Sequence, residues 1–536
     1  MRILLFFFIA LSNIGLSQFT IQDSIRGSVT PERAWWDVKQ YDLTIDINPT
    51  DKSITGNNII LFKKINDSDS HLQIDLQAPM EIDSITTSRS TLSYIRINDF
   101  SYYVYHEPSN ENPTSDELYQ ITIYFHGSPI EAKNAPWDGG IVWTKDKNGN
   151  DFVASAIQGL GASAWWPCKD HWSDEPDLGM NITTSCPANL MVVSNGTLIK
   201  NYSNVLDRTI TKWKVQNPIN AYGINFNIGD YVHWADTFQG KAGQLPLNFY
   251  VLRENKEKAK KQFQDVYRML EAFEHWFGPY PFYEDGFKMV EVPYLGMEHQ
   301  SSVTYGNGYQ NGYLGRDLSN TGWGLKWDFI IVHESGHEWF ANNITAADPA
   351  DMWIHEGFTT YSEGLFTEYF YGKEAGDSYI RGLRRNILND RPIIGQYDVN
   401  HEGSYDMYPK AANMLHTIRQ IVNNDSIWLD FMRSINTNFR HSIVTTEQIE
   451  AYMETKLQVD LKAFFDYYLR GRAVPKLELI YSKRKVKYRW SNDFDRMTIP
   501  LDVFADGVKK RIQPTSKFQK MKAKSFKVDP NYFILH

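Results

Sequence analysis

The sequence predicts a multidomain protein: an N-terminal antiparallel β-domain over residues 18–252, an α+β domain over 253–475, and a small C-terminal β-sandwich over 476–536. Three observations lead there. Apolar residues alternate with period two through most of 38–250, switch to helical spacing from residue 254, and alternate again from Lys476. A chain of 536 residues and 62.2 kDa is too long for one core and suits about three domains. With 42% hydrophobic and 14% aromatic residues it has ample packing material, which argues against disorder.

Residues 1–17 read as a signal peptide. Arg2 precedes the apolar run Ile3-Leu4-Leu5-Phe6-Phe7-Phe8-Ile9-Ala10-Leu11, and Ser12 to Ser17 supply small and polar residues before Gln18. The run is shorter than the about 20 residues of a membrane span, and no later segment qualifies. The expectation is an exported protein, periplasmic or secreted. A net charge of −9, a pI of 5.9 and the lack of a long basic run argue against nucleic acid as a partner. The only two cysteines, Cys168 and Cys186, read as buried free thiols, although export would permit a bridge.

In the first domain, segments such as Tyr41–Ile47, Asn58–Phe62, Gln120–Phe125 and Phe226–Val232 alternate between clusters of Asn, Asp, Gly and Ser, as strands do. Over 254–277, Phe263, Val266, Tyr267, Leu270, Phe273 and Trp276 recur at helical spacing until Gly278-Pro279 ends the run. Short strands follow, then helical segments to about Leu469. The last domain rests on Leu477–Tyr481, Val486–Trp490 and Met497–Leu501.

The strongest chemical signal is His-Glu-Ser-Gly-His at 333–337, with Glu356 nineteen residues after the second histidine. Positions i and i+4 share a helix face, so His333 and His337 can point two imidazoles at one ion. Glu334 lies beside that face, where a general base for a metal-activated water belongs. Glu356, from a following helix, would be the third ligand, leaving a fourth position open. The pattern predicts one Zn2+ ion.

Three further segments bear on the site. Gly296-Met297-Glu298-His299 reads as an edge strand carrying one carboxylate among apolar residues. Such an edge can hold a peptide by strand addition, and Glu298 could pair with an ammonium group. Tyr408 opens a helix and could stabilise an oxyanion, with Tyr405 a competitor for the role. Gln158-Gly159-Leu160-Gly161 is a glycine-rich loop before Trp165-Trp166-Pro167-Cys168, with no chemistry of its own.

Together, in this order, these pieces resemble the zinc aminopeptidases of the alanyl/leucyl aminopeptidase and leukotriene hydrolase type. The resemblance runs from the first β-domain through Gln158 and Trp166-Pro167-Cys168, the Gly-Met-Glu strand, the zinc helices and Tyr408-x-Lys410, to Phe464–Leu469. It implies a β-saddle domain, a thermolysin-like catalytic domain and a small β-sandwich, in a short form without the large helical domain. It implies His333, His337 and Glu356 as zinc ligands, Glu334 as base and Tyr408 as oxyanion donor. Glu298 would anchor the substrate's α-amino group on the Gly296-Met297-Glu298 strand, with Gln158 helping. Four departures stand out. His299 and His355 replace asparagines common in the family, Glu338 replaces a frequent glutamine, and Ser163 replaces an arginine.

The expected function is hydrolysis of the N-terminal peptide bond of peptides with a free N-terminus. A thermolysin-like endopeptidase is the enzymatic alternative, and an inactive peptide-binding protein the alternative of another class. Oligomeric state and first-residue preference are not legible in the sequence.

Overall fold

The computed structural model describes residues 19–66, 71–105, 118–204 and 207–536. The signal-peptide reading at 1–17 lies outside the described residues. Among them, no helix is long and apolar enough to cross a membrane.

The first element among the described residues is a helix, Ile21–Gly27, closed at its start by a capping box between Thr20 and Asp23. It is tied to the first sheet by Arg33, whose buried guanidinium pairs with Asp75 at 2.8 Å. That sheet has ten strands, with Trp36–Asn48 near its middle between Met180–Pro187 and Ser53–Lys64. The pairing of Trp36–Asn48 with Met180–Pro187 is parallel, an exception to the antiparallel expectation. A long excursion of chain separates the two strands, as parallel neighbours require. A four-stranded sheet, including Asp151–Ala156 and Phe226–Gly229, completes this β-rich region. Cys168 and Cys186 are buried free thiols within it.

A five-stranded mixed sheet follows, in the order Tyr231–Gly240, Gly243–Leu252, Phe287–Glu291, Val303–Tyr305, Gly296–Met297. The sequence reading assigns its first two strands to the N-terminal domain. Alternation identifies a strand but not its partner, and these two pair onward into the sheet beside the metal motif. Gly296–Met297 sits at the sheet edge, as expected of it. Helix Gln264–Phe277 packs on this sheet through Val266, Met269, Leu270 and Phe273, and stops at Gly278, whose φ of 93° suits glycine.

The helices Phe329–Gly336, Trp353–Tyr371 and Pro409–Val422 form the heart of the α/β region. A Cβ on Gly357 would come within 2.7 Å of Ala411 Cβ, so the last two approach closely. Two three-stranded sheets end the chain. Their buried residues, among them Val486, Trp490, Leu501 and Val503, join the same apolar cluster as these three helices. In one of them, Lys485 stands opposite Lys522 and Lys487 opposite Lys520, all four exposed.

Candidate metal centre

Asp328 caps helix Phe329–Gly336, accepting from the backbone amides of Ile330 and Ile331 at 3.1 and 3.3 Å. The helix ends at Gly336, earlier than the apolar residues Trp339-Phe340-Ala341 suggest. The chain then turns irregularly, with Ala341 at a φ of 151°. That turn brings the Phe340 carbonyl to 3.0 Å from His337 Nδ1, and Thr359 Oγ1 lies 3.1 Å from the same nitrogen. On the other imidazole, His333 Nδ1 meets Glu363 Oε1 at 2.7 Å, and Tyr379 donates to the second oxygen of Glu363 at 2.6 Å. Both Nδ1 atoms are thus engaged, and both Nε2 atoms are turned to a common point.

Glu356 faces that point from the first turn of Trp353–Tyr371. Its Oε2 lies 3.5 Å from His333 Nε2 and 3.4 Å from His337 Nε2. The three residues are buried and their ligand atoms lie within 4.8 Å of one another. Zinc bound tetrahedrally, with bonds of about 2.0–2.2 Å, sets its ligand atoms roughly 3.4 Å apart. Glu356 Oε2 has no hydrogen-bond partner, an orphaned buried oxygen that a cation would satisfy. The residues fit the ion. Burial alone would push the Glu356 carboxyl up, but the two imidazoles hold it far below the usual carboxylate range.

Glu334 is half-buried on the same helix. Burial, reinforced by Glu298 and opposed by His333, pushes its carboxyl up to about 7. A Cβ on Gly296 would come within 2.6 Å of Ile330 and 3.3 Å of Glu334 Cγ, so only glycine lets the edge strand lie this close to the metal helix. Met297, next along, hydrogen-bonds through its carbonyl to Thr304 Oγ1 at 3.1 Å. Glu298 then turns a buried carboxylate toward the same space and accepts from Gln158 Nε2 at 2.5 Å. Asn342 Nδ2 donates to the Glu298 backbone carbonyl at 2.9 Å. Gln158 and Glu298 are 140 positions apart in sequence. Burial pushes Glu298 up, and His337 draws it back.

Burial, reinforced by the charge of Glu356, pushes the Tyr408 phenol up, and its ring lies 6.1 Å from that of His333. Tyr405 is 60% exposed, its ring 4.7 Å from that of Tyr408 and tilted by 36°. Lys410 donates to the carbonyls of Gly471 and Arg472, both at 3.2 Å, which is a structural part.

Sequence reasoning missed several residues here. Glu363 stands seven positions after Glu356 on one helix face, a spacing that would have revealed it. Tyr222, buried beside Glu298, stacks on Trp172, which stacks in turn on His355. No local pattern marks that trio. His299 and His355 are both fully buried, and burial drives each imidazole down to about 3, so both are neutral. His355 Nε2 accepts from the Ala346 amide at 2.8 Å. Glu338 is also buried, accepting from Tyr280 at 3.0 Å and Ser301 at 2.8 Å, away from the metal point.

Two domain descriptions match this chain: "Peptidase M1 N-terminal domain" over residues 38–222 and "Peptidase family M1 domain" over 262–468. Leukotriene A-4 hydrolase of Xenopus laevis is 22% identical over 66% of this chain and 59% of its own length. Aminopeptidase M1-B of Oryza sativa subsp. japonica is 23% identical over 62% of this chain. The chain spans 38% of that second relative. An M1 zinc metallopeptidase of Deinococcus radiodurans, solved with a Tyr-Ser-Ala substrate, superposes with a TM-score of 0.69 at 19% identity. The match covers 83% of this chain and 96% of that one. Yeast LTA4 hydrolase gives 0.65 at 18% identity, over 82% and 68% of the two chains. The likeness supports a two-domain fold for this chain, a β-rich N-terminal domain followed by an α/β domain. With two matched domains over most of its length and a two-histidine, one-glutamate cluster built for zinc, this chain belongs to peptidase family M1.

Proposed function

We propose that this protein is a zinc aminopeptidase that hydrolyses the first peptide bond of peptides with a free N-terminus. The observation that carries the reading is the contact between Glu298 and Gln158 beside the three-ligand cluster. A buried carboxylate with one neutral donor has unspent acceptor capacity, which an ammonium group satisfies. An ammonium group held there would fix the substrate's N-terminus beside the metal point, so that the first peptide bond is the one cleaved.

When bound, zinc polarises the scissile carbonyl and lowers the pKa of its water. Glu334 takes the proton of the attacking water and returns it to the leaving nitrogen, a role suited to a carboxyl near 7. The Tyr408 hydroxyl donates to the oxygen that gains charge in the transition state. The edge strand Gly296–Met297 offers backbone groups to the substrate. We also read the two terminal sheets as a small β-sandwich domain at 476–536, and the protein as exported, from the signal-like residues 1–17.

The test is a panel of free and N-acetylated aminoacyl anilides and peptides, with and without chelator. Free substrates should be cleaved and acetylated ones spared. Glu298→Ala should raise KM for free substrates by about tenfold or more. Equal cleavage of blocked and free peptides would reject the aminopeptidase reading in favour of an endopeptidase.

A further inference from the structure

The tip of the turn that carries Gln158 is open around Gly159, while Leu160 lies against Gly139. A Cβ on Gly159 would meet nothing within 4 Å, although the turn is closed at its base by Gly161 N–H to Ile157 O at 2.7 Å. What holds the tip is polar and comes from far away. Arg26, on the N-terminal helix, donates through one guanidinium nitrogen to the Leu160 carbonyl and, at 3.2 Å, to that of Gly159. Gln77 adds a second donor to Leu160 at 2.7 Å.

Arg26 is itself firmly held. Its guanidinium lies over the Phe100 ring at 5.2 Å, and the Asn400 amide oxygen, turned toward it, accepts at 3.2 and 3.3 Å. Behind it, Arg33 gathers the carbonyls of Ile25, Arg26 and Ser28 at 2.8, 3.1 and 2.8 Å. Gly27 runs so close to the Val399–Asn400 backbone that a Cβ there would lie 2.0 Å from Asn400 N. The helix therefore clips the Gln158 turn to elements of both the β-rich and α/β regions.

Asp170 grips the other end of the turn. It accepts from the Ala162 and Ser163 amides at 3.2 and 3.0 Å and from the Ser163 hydroxyl at 2.6 Å. Ser163 offers Asp170 only neutral donors, so Arg26 is the nearby positive charge.

We propose that Arg26 is a positioning residue for amine recognition: by fixing the Gly159–Leu160 carbonyls it sets Gln158 against Glu298. Without it the two carbonyls lose their charged donor, Gly159 keeps no contact of its own, and the turn loosens despite the hold of Gln77 on Leu160. Glu298 then loses its Gln158 partner and holds the substrate's ammonium less well. The chemistry at the metal point, reached through other elements, is untouched. This rests on the aminopeptidase reading above.

The experiment compares the full-length chain with Arg26→Ala, Arg26→Lys, Gln158→Ala and the double variant R26A/Q158A. It measures kcat and KM on a free aminoacyl anilide, and amide hydrogen exchange over 157–163. Arg26→Ala should raise KM about tenfold with kcat within about twofold, and exchange over 157–163 should quicken. Arg26→Lys, keeping the charge, should recover part of the KM. The double variant should be no worse than Gln158→Ala, since one residue acts through the other. Additive effects, an unchanged KM, or a loss confined to kcat would overturn the proposal. If the unaltered chain cleaves no free-amine substrate, the aminopeptidase reading has failed on its own. The exchange data then decide the clip: wild-type rates in Arg26→Ala reject it, and faster exchange supports it.

Discussion

Each imidazole of the metal centre is oriented from behind by a partner on its Nδ1, and the two partners differ in strength. His337 leans on a backbone carbonyl, whereas His333 leans on the buried Glu363, itself fixed by Tyr379. A carboxylate behind a ligating histidine raises its basicity and fixes its tautomer. Glu363→Gln should therefore weaken zinc binding by about 10- to 100-fold, read by competition with a chromogenic chelator. An affinity equal to wild type would show that packing alone orients His333. The residue scale is also where the sequence was most legible. His333, His337 and Glu334 sit within one turn and a half, so a helical period brings them together without knowledge of the fold. Glu298 and Gln158 lie far apart, and only the family resemblance joins them beforehand. Arg26 had neither signal: its contacts with Gly159 and Leu160 depend on where an unremarkable short helix docks.

Elements were legible by type and less so by company. Period-two alternation marked Tyr231–Leu252 as strand, but could not tell that it extends the sheet beside the metal helix. The metal helix loses its regular turns after Gly336, and non-helical backbone at Phe340 and Ala341 brings the Phe340 carbonyl to His337. The N-terminal helix is an element whose hold depends on pH. His171 Nδ1 accepts from the Ser173 amide at 3.1 Å while Nε2 meets the Gly27 carbonyl at 3.2 Å, an arrangement that needs a neutral ring. Burial, assisted by the charge of Arg33, pushes this imidazole down to about 4. Between roughly pH 6.5 and 4 the unfolded chain binds a proton that the folded one refuses. Stability should thus fall as pH drops through that window, by up to about 3 kcal/mol. Urea unfolding at pH 7 and pH 4.5 measures it, and His171→Gln should remove that share of the fall while the buried His299 and His355 keep theirs. An equally steep profile in that variant would assign the acid sensitivity to other groups.

At the scale of the whole molecule, the metal point lies among helices whose apolar faces belong to one large cluster reaching into the terminal sheets. The ligands are held by that packing and by their own partners, so the fold does not wait on the ion. Chelation should abolish turnover and lower the midpoint of thermal unfolding while leaving the far-ultraviolet circular dichroism at 25 °C unchanged. Collapse of that signal on chelation would mean that metal binding and folding are one event, as in small zinc-dependent domains. The shared cluster also means that the alternation resuming at Lys476 does not mark out a core of its own. The facing lysines of the terminal sheet carry a different consequence. Strand Gln519–Lys522 ends its sheet and has free backbone groups on one side. Any foreign chain zipping onto it would have to crowd Lys520 and Lys522, which already repel Lys487 and Lys485 across the ladder. That strand is thereby guarded against aggregation, while the edge at Gly296–Met297 carries no such charges and stays receptive. Charge, rather than shape, tells a passing polypeptide which border of this protein is closed to it.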